Sequence, residues 1–213
     1  MADHALPTVA APAEILLVRH AQPQPDGTLD PGLSDDGRAQ AAALAEHLRD
    51  VPIAAVYSSH LKRAAETAEP LASALGLPVL VDEGLREWRS NATHYAGTEN
   101  LADPSRMVAF LEGRFEEGFV PPHNADELRA TMVATIRRIG LDHQGERVVA
   151  VSHGGATNTF LAAVVGSPSR FFFNPGYVSI SRVQVWPDGR FVLVSINEPV
   201  DASAQHGSML PGG

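Results

Sequence analysis

The dipeptide Arg19-His20 closes an apolar run, Ile15-Leu16-Leu17-Val18. A second run, Val148-Val149-Ala150-Val151, closes on Ser152-His153-Gly154-Gly155. Runs of large aliphatics that end in polar turn residues read as buried strands. A fixed cation and an imidazole at such an end suit the holding and attack of an anion. Guanidinium presents a planar fork to anionic oxygens, and neutral imidazole is a nucleophile that splits one displacement into two. Taken singly, each residue has a plainer reading. A histidine after a strand is by default a partly buried hydrogen-bonding group, and an arginine there a solvated strand end. Two strands that each deliver a histidine form the pattern the fold must explain.

The elements that would position these groups follow from periodicity and turn chemistry. Ser34 is placed to cap a helix to about Arg49, with Ala41, Leu44, Ala45 and Leu48 on one face. A short strand over 53–57 leads through Ser58-Ser59 into a helix from about Leu61, expected to bend or break near Pro70. Val79–Val81 reads as a third strand, followed by a loop through Leu85, Arg86, Glu87 and Trp88. The stretch 89–124 is irregular and reads as a cap, with a helix expected over 104–115. A helix over 126–139 buries Leu128, Met132, Thr135 and Ile139, and an apolar helix follows over 156–165. Strands over 178–186 and 191–196 flank the turn Pro187-Asp188-Gly189. Alternating strands and helices predict an α/β fold, a three-layer α/β/α sandwich with a mostly parallel sheet. Ligands of such sheets bind outside the carboxyl ends of the strands. That rule gathers His20, Ser58-Ser59, Glu87 and His153 around one crevice.

The chain has 213 residues and no cysteine, which excludes disulfides, thiolate nucleophiles and cysteine-ligated metals. Its formal charge of −9 disfavours nucleic acid or an anionic membrane as a partner, so an anionic ligand needs a local cluster of cations. The reading is one domain over 14–200, with disordered segments at 1–13 and 201–213. The first residues lack a basic start and a continuous apolar stretch, which points to a cytoplasmic protein.

Four motifs occur in order. They are Leu17-Val18-Arg19-His20-Ala21-Gln22; Tyr57-Ser58-Ser59 with Leu61, Arg63, Ala64 and Thr67-Ala68; Leu85-Arg86-Glu87; and Val151-Ser152-His153-Gly154-Gly155. Together they resemble the histidine phosphatase superfamily, which includes the cofactor-dependent phosphoglycerate mutases. The resemblance runs from about Glu14 to about Val200. It implies His20 as a nucleophile that becomes phosphohistidine, Arg19, Arg63 and His153 as phosphoryl ligands, and Glu87 as proton donor. Gly154 and Gly155, at a helix N-terminus, would add backbone N–H groups to the anion site. No metal or cofactor is required. His20 and His153 lack the further ligands a metal site needs.

The chain departs from the family pattern at four places. Ala21 stands where glycine is commonest. The segment Trp88-Arg89-Ser90-Asn91-Ala92-Thr93-His94 replaces a Gly-rich stretch and a Trp-Glu-Gly motif. Asn124-Ala125-Asp126-Glu127 replaces Gly-Glu-Ser, and Asp26 stands where mutases place asparagine. Asp26 reads first as a surface loop residue; as a substitute acid it is the second choice for the proton donor, after Glu87, and Glu83 is weaker. His94 and His123 read as solvated, His47, His60 and His143 as surface residues, and Phe171-Phe172-Phe173 as packing. The expected activity is metal-independent hydrolysis of a phosphorylated small molecule or a phosphoprotein through phospho-His20. The alternatives are mutase-type phosphoryl transfer and a catalytically weak phosphate-binding regulator.

Overall fold

In the computed structural model of the chain, residues 11–24, 26–87, 105, 108–109, 114 and 125–200 are described. The apolar run before His20 is β1 (Ala13–Arg19), and the run before His153 is β4 (Arg147–Ser152). Between them lie α1 (Asp35–Leu48), β2 (Ala55–Ser58), α2 (Lys62–Leu75), β3 (Val79–Val81), a 3-10 turn (Glu83–Leu85) and α3 (Ala125–Asp142). After β4 come α4 (Gly154–Val165), β5 (Ile180–Val185) and β6 (Phe191–Glu198).

The strands form one sheet in the order β3-β2-β4-β1-β5-β6. Pairings from β3 through β1 are parallel, whereas β1–β5 and β5–β6 are antiparallel. Both central runs are apolar throughout because both faces of the sheet are covered. Leu16, Val18, Val149 and Val151 face a layer made by Leu44 and Leu48 of α1 and Ala68 and Leu71 of α2. Their neighbours Ile15, Leu17, Val148 and Ala150 face Met132, Ile136 and Ile139 of α3 and Phe160 of α4. Alternation of strand side chains assigns the two sets to opposite faces. Each such buried aliphatic contributes about 1.5–3 kcal/mol. Gly140 lets α3 approach β5, since a Cβ there would lie 2.3 Å from that of Val185.

Ser34 caps α1 by accepting from Gly37 N. The expected break at Pro70 does not occur: α2 runs unbroken to Leu75 and stops at Gly76, whose φ of 68° ends it in the left-handed region. The apolar face of α2, Ala64, Ala68, Leu71 and Ala72, is buried on both sides of the proline. That packing offsets the one backbone hydrogen bond a proline removes. The turn after β5 closes with Gly189 N donating to Trp186 O. Ser105 and Val108–Ala109 are helical. Apart from Arg114, whose N–H donates to Ala109 O, the remainder of the 89–124 excursion, including His94 and His123, lies outside the described residues, as do Trp88, residues 1–10 and the 201–213 tail.

Candidate active site

Arg19 ends β1, and its backbone is held on both sides: Arg19 N donates to Ser179 O, and Val178 N donates to Arg19 O. Its guanidinium is buried, with Nη1 donating to Pro175 O at 2.5 Å and the carbon Cζ 4.1 Å from the centre of the Tyr177 ring. Nε has no hydrogen-bond partner among the described residues. It lies beside Gly154, where a Cβ would stand 3.4 Å from it.

His20 follows, buried to 2 % exposure, with its backbone N donating to Ser152 O. Its Nδ1 lies 2.7 Å from the carbonyl oxygen of Ala21. A carbonyl only accepts, so Nδ1 carries the hydrogen and Nε2 is left with its lone pair. Burial holds the imidazole well below its ordinary pKa, and the Arg63 and Arg19 charges push the same way, against the Ala21 hydrogen bond. His20 is therefore a neutral imidazole at neutral pH. Ala21 is buried without positive φ, so the extra methyl costs no backbone strain. Its N–H donates to Thr67 Oγ1 on α2.

Arg63 sits in the first turn of α2, 2 % exposed. The segment ahead of α1 is strapped onto this helix. Lys62 N donates to Asp30 Oδ1 (2.9 Å), Asp30 pairs with Arg63 Nη1 at 3.6 Å, and Leu33 N donates to Glu66 Oε2 (2.7 Å). One face of α2 thus fixes the segment that follows His20 and carries a second buried guanidinium.

His153 is the residue just before α4, fully buried, its ring centre 5.0 Å from that of His20. Its Nε2 meets Ser59 Oγ at 2.9 Å, and Nδ1 has no partner among the described residues. Burial first, then Arg63, His20 and Arg19, lowers its pKa well below the ordinary value. Two neutral imidazoles thus lie with two buried guanidiniums at one end of the sheet, an arrangement of strong hydrogen-bond donors suited to an anion.

Glu87 reaches the same end of the sheet from the other side. Ser152 Oγ donates to Leu85 O (2.8 Å), which anchors the turn carrying it. Its Oε2 accepts from Gly155 N (3.1 Å) and its Oε1 from Ala156 N (3.0 Å). This corrects one expectation. The Gly155 N–H serves an internal carboxylate rather than an incoming anion, because Glu87 is long enough to reach the helix start and the helix dipole favours it there. Asp26 is the surface loop residue its first reading made it, not the alternative acid. It is exposed in an Asx turn, accepting from Thr28 Oγ1 and Thr28 N, and those hydrogen bonds hold its pKa below the usual carboxylate value. Glu83 is exposed on the 3-10 turn.

His47 and His60 are exposed. His143, expected on the surface, is partly exposed there and meets Tyr57 Oη (3.0 Å) and Glu146 Oε2 (2.7 Å). Phe172 and Phe173 pack against the α3–α4 layer. Among the described residues no group of three or more histidines or carboxylates is placed to hold a metal, and no helix is long and apolar enough to cross a membrane. Sequence reasoning passed over Asp30 and Tyr177. The turn-forming runs Asp30-Pro31-Gly32 and Asn174-Pro175-Gly176 were the available signals that tight loops lie beside the site.

Residues 15–199 match the histidine phosphatase superfamily (branch 1). Phosphoglycerate mutase-like protein 4 of Arabidopsis thaliana is 38% identical over 160 residues, 67% of each chain. The probable phosphoglycerate mutase GpmB of Escherichia coli O1:K1 is 27% identical over 168 residues, 73% of this chain and 76% of its own. Among solved structures, mycobacterial glucosyl-3-phosphoglycerate phosphatase in complex with VO3 superposes with a TM-score of 0.71 at 26% identity, covering 87% of this chain and 99% of that one. Bacillus stearothermophilus YhfR shares the fold at a TM-score of 0.72 and 24% identity, over 89% of this chain and 100% of its own. With the superfamily pattern matching residues 15–199, most of its length, the chain belongs to the histidine phosphatase superfamily.

Proposed function

We propose that this chain hydrolyses phosphomonoesters through a phosphohistidine on His20, without a metal. The observation that carries the reading is the hydrogen bond from His20 Nδ1 to Ala21 O, which leaves Nε2 as a lone pair in a buried site beside Arg19 and Arg63. Support also comes from the similarity to a phosphatase solved with a vanadium oxyanion. Phosphomonoester hydrolysis is among the slowest uncatalysed reactions, so positioning and charge stabilisation must supply the catalysis.

In the first step Nε2 attacks phosphorus and the ester P–O bond breaks. Arg19, Arg63 and His153 hold the equatorial oxygens, with the Gly154 N–H. Protonated Glu87 gives its proton to the leaving alkoxide. In the second step Glu87, now a carboxylate, takes a proton from water, the water oxygen bonds to phosphorus, and the P–N bond breaks. Free phosphate leaves and His20 is again neutral. The pose described above, with both oxygens accepting N–H, belongs to the carboxylate half of this cycle. A proton on Glu87 competes with one of those contacts.

The substrate is a phosphorylated small molecule or a phosphoprotein, and the relatives' names put phosphoglycerates and their sugar conjugates first on a test panel. The experiment is release of inorganic phosphate from that panel with chelator present, with His20→Ala as control. Release that survives chelator and vanishes in the variant is expected. Release unchanged in the variant would overturn the reading. Transfer between phosphoglycerates faster than release would replace it with a mutase, and binding without turnover with a regulator.

A further inference from the structure

We infer that Tyr177 is the positioning residue for Arg19, setting the plane of its guanidinium so that the Nε–Nη2 edge faces the transferred phosphoryl group. This rests on the proposed chemistry at His20 and deepens it. A buried arginine with one clamped nitrogen still turns about its terminal torsions, and a bidentate contact needs the plane as well as the charge. Pro175 O takes Nη1, which leaves Nε and Nη2 as the usable edge. The Tyr177 ring lies against the guanidinium at 4.1 Å, within the range of a cation–π contact. The same ring stands 5.9 Å from His20, so it lines the nucleophile's side of the pocket as well.

The loop that carries the ring is held on several sides. Gly176 N donates to Asn197 Oδ1 (2.8 Å), Asn197 Nδ2 donates to Asn174 O (3.3 Å), and Val178 N donates to Arg19 O (3.0 Å). Val178 is held at φ 52°, a conformation a β-branched residue avoids. Such strain persists only where surrounding contacts over-determine the backbone. Here those contacts pin the residue next to Tyr177 to the backbone of Arg19. The arginine and the ring that orients it therefore move as one unit.

The test compares Tyr177→Leu and Tyr177→Phe in the wild-type and Arg19→Lys backgrounds. Calorimetry reads the affinity for inorganic phosphate, p-nitrophenyl phosphate reads kcat and KM, and thermal unfolding reads the fold. Tyr177→Leu should weaken phosphate binding about tenfold and lower kcat/KM by at least as much, within the range of a desolvated cation–π contact. Tyr177→Phe keeps the ring and should restore binding to within about threefold. In Arg19→Lys the leucine substitution should cost less than about twofold, because lysine has no plane to orient. An unchanged Tyr177→Leu, a loss that persists in Arg19→Lys, or a phenylalanine variant as weak as leucine would each overturn the assignment. A wild type that binds phosphate but hydrolyses nothing would sink the phosphatase reading alone, leaving the role of Tyr177 to be read from binding. An active wild type whose leucine variant binds phosphate normally would sink the Tyr177 assignment alone.

Discussion

Thr67 Oγ1 accepts the N–H of Ala21 at 2.9 Å while donating to Arg63 O at 2.6 Å. One hydroxyl therefore joins the turn after His20 to the helix turn that carries the second guanidinium. Thr67→Val keeps the shape and removes both hydrogen bonds, leaving the buried Ala21 N–H unpaired. A loss of about 1–3 kcal/mol in unfolding free energy is expected, together with reduced kcat on any phosphomonoester. Urea denaturation and steady-state kinetics check the pair. Lowered stability with unaltered kcat would mean that the hydroxyl braces the core and does not register the site.

The buried imidazoles make stability depend on pH with a definite sign. His20 and His153 titrate near 6.5 when the chain is unfolded and well below it when folded, chiefly through burial. Below pH 6.5 the unfolded chain binds more protons, so stability falls as pH falls and is fully present above that value. The slope is up to about 1.4 kcal/mol per pH unit for each histidine. Urea midpoints between pH 5 and 8 should show it, and His20→Asn should remove roughly one histidine's share. Phosphate dianion favours the protonated imidazoles and should flatten the curve. A stability profile flat across this range would contradict the burial of both rings.

The same low pKa of His20 shapes the rate profile. The nucleophile is neutral well into acidic pH, so the rising limb should lie below pH 6.5. The falling limb then belongs to the leaving-group acid. Glu87→Gln should slow hydrolysis of alkyl phosphates by about 10²–10⁴-fold and abolish that limb. It should matter far less for the p-nitrophenol burst from p-nitrophenyl phosphate, which reads phosphorylation alone and whose leaving group needs no proton. Losses in the phosphorylation step as large for this ester as for alkyl phosphates would assign Glu87 to holding the start of α4 rather than to acid catalysis.

Val178 offers a test of backbone strain. In ordinary backbone alanine is more stable than glycine by about 0.5–1 kcal/mol. At φ 52° the order should invert, with Val178→Gly at least as stable as Val178→Ala. Both should fall below wild type, since the buried valine side chain contributes about 1.5–3 kcal/mol, more than glycine's conformational relief returns. Thermal midpoints of the two variants decide it. Alanine above glycine would mean that the loop relaxes out of the left-handed region.

Local pattern determined a good deal of this protein. The aliphatic runs of β1 and β4 had to be buried on both faces, and strand alternation then assigned Leu16 and Val18 to one layer and Ile15 and Leu17 to the other. The helical period marked Leu128, Met132, Thr135 and Ile139 as one face, and they are buried. The four motifs also named Arg19, His20, Arg63, Glu87, His153 and Gly154, which the fold brings to one end of the sheet. These are readings of short-range chemistry, in which neighbours a few positions apart decide the outcome. Pairings remote in the chain were decided by the tertiary structure alone. Packing on both sides carried α2 unbroken through Pro70, where the proline predicted a bend or a break. The reach of Glu87 put its carboxylate on Gly155 and Ala156, 68 and 69 positions away. The contact between Arg19 and Pro175 spans 156 positions. No periodicity encodes such a contact, because it exists only once β5 returns antiparallel beside β1 and sets the Tyr177 ring on the guanidinium.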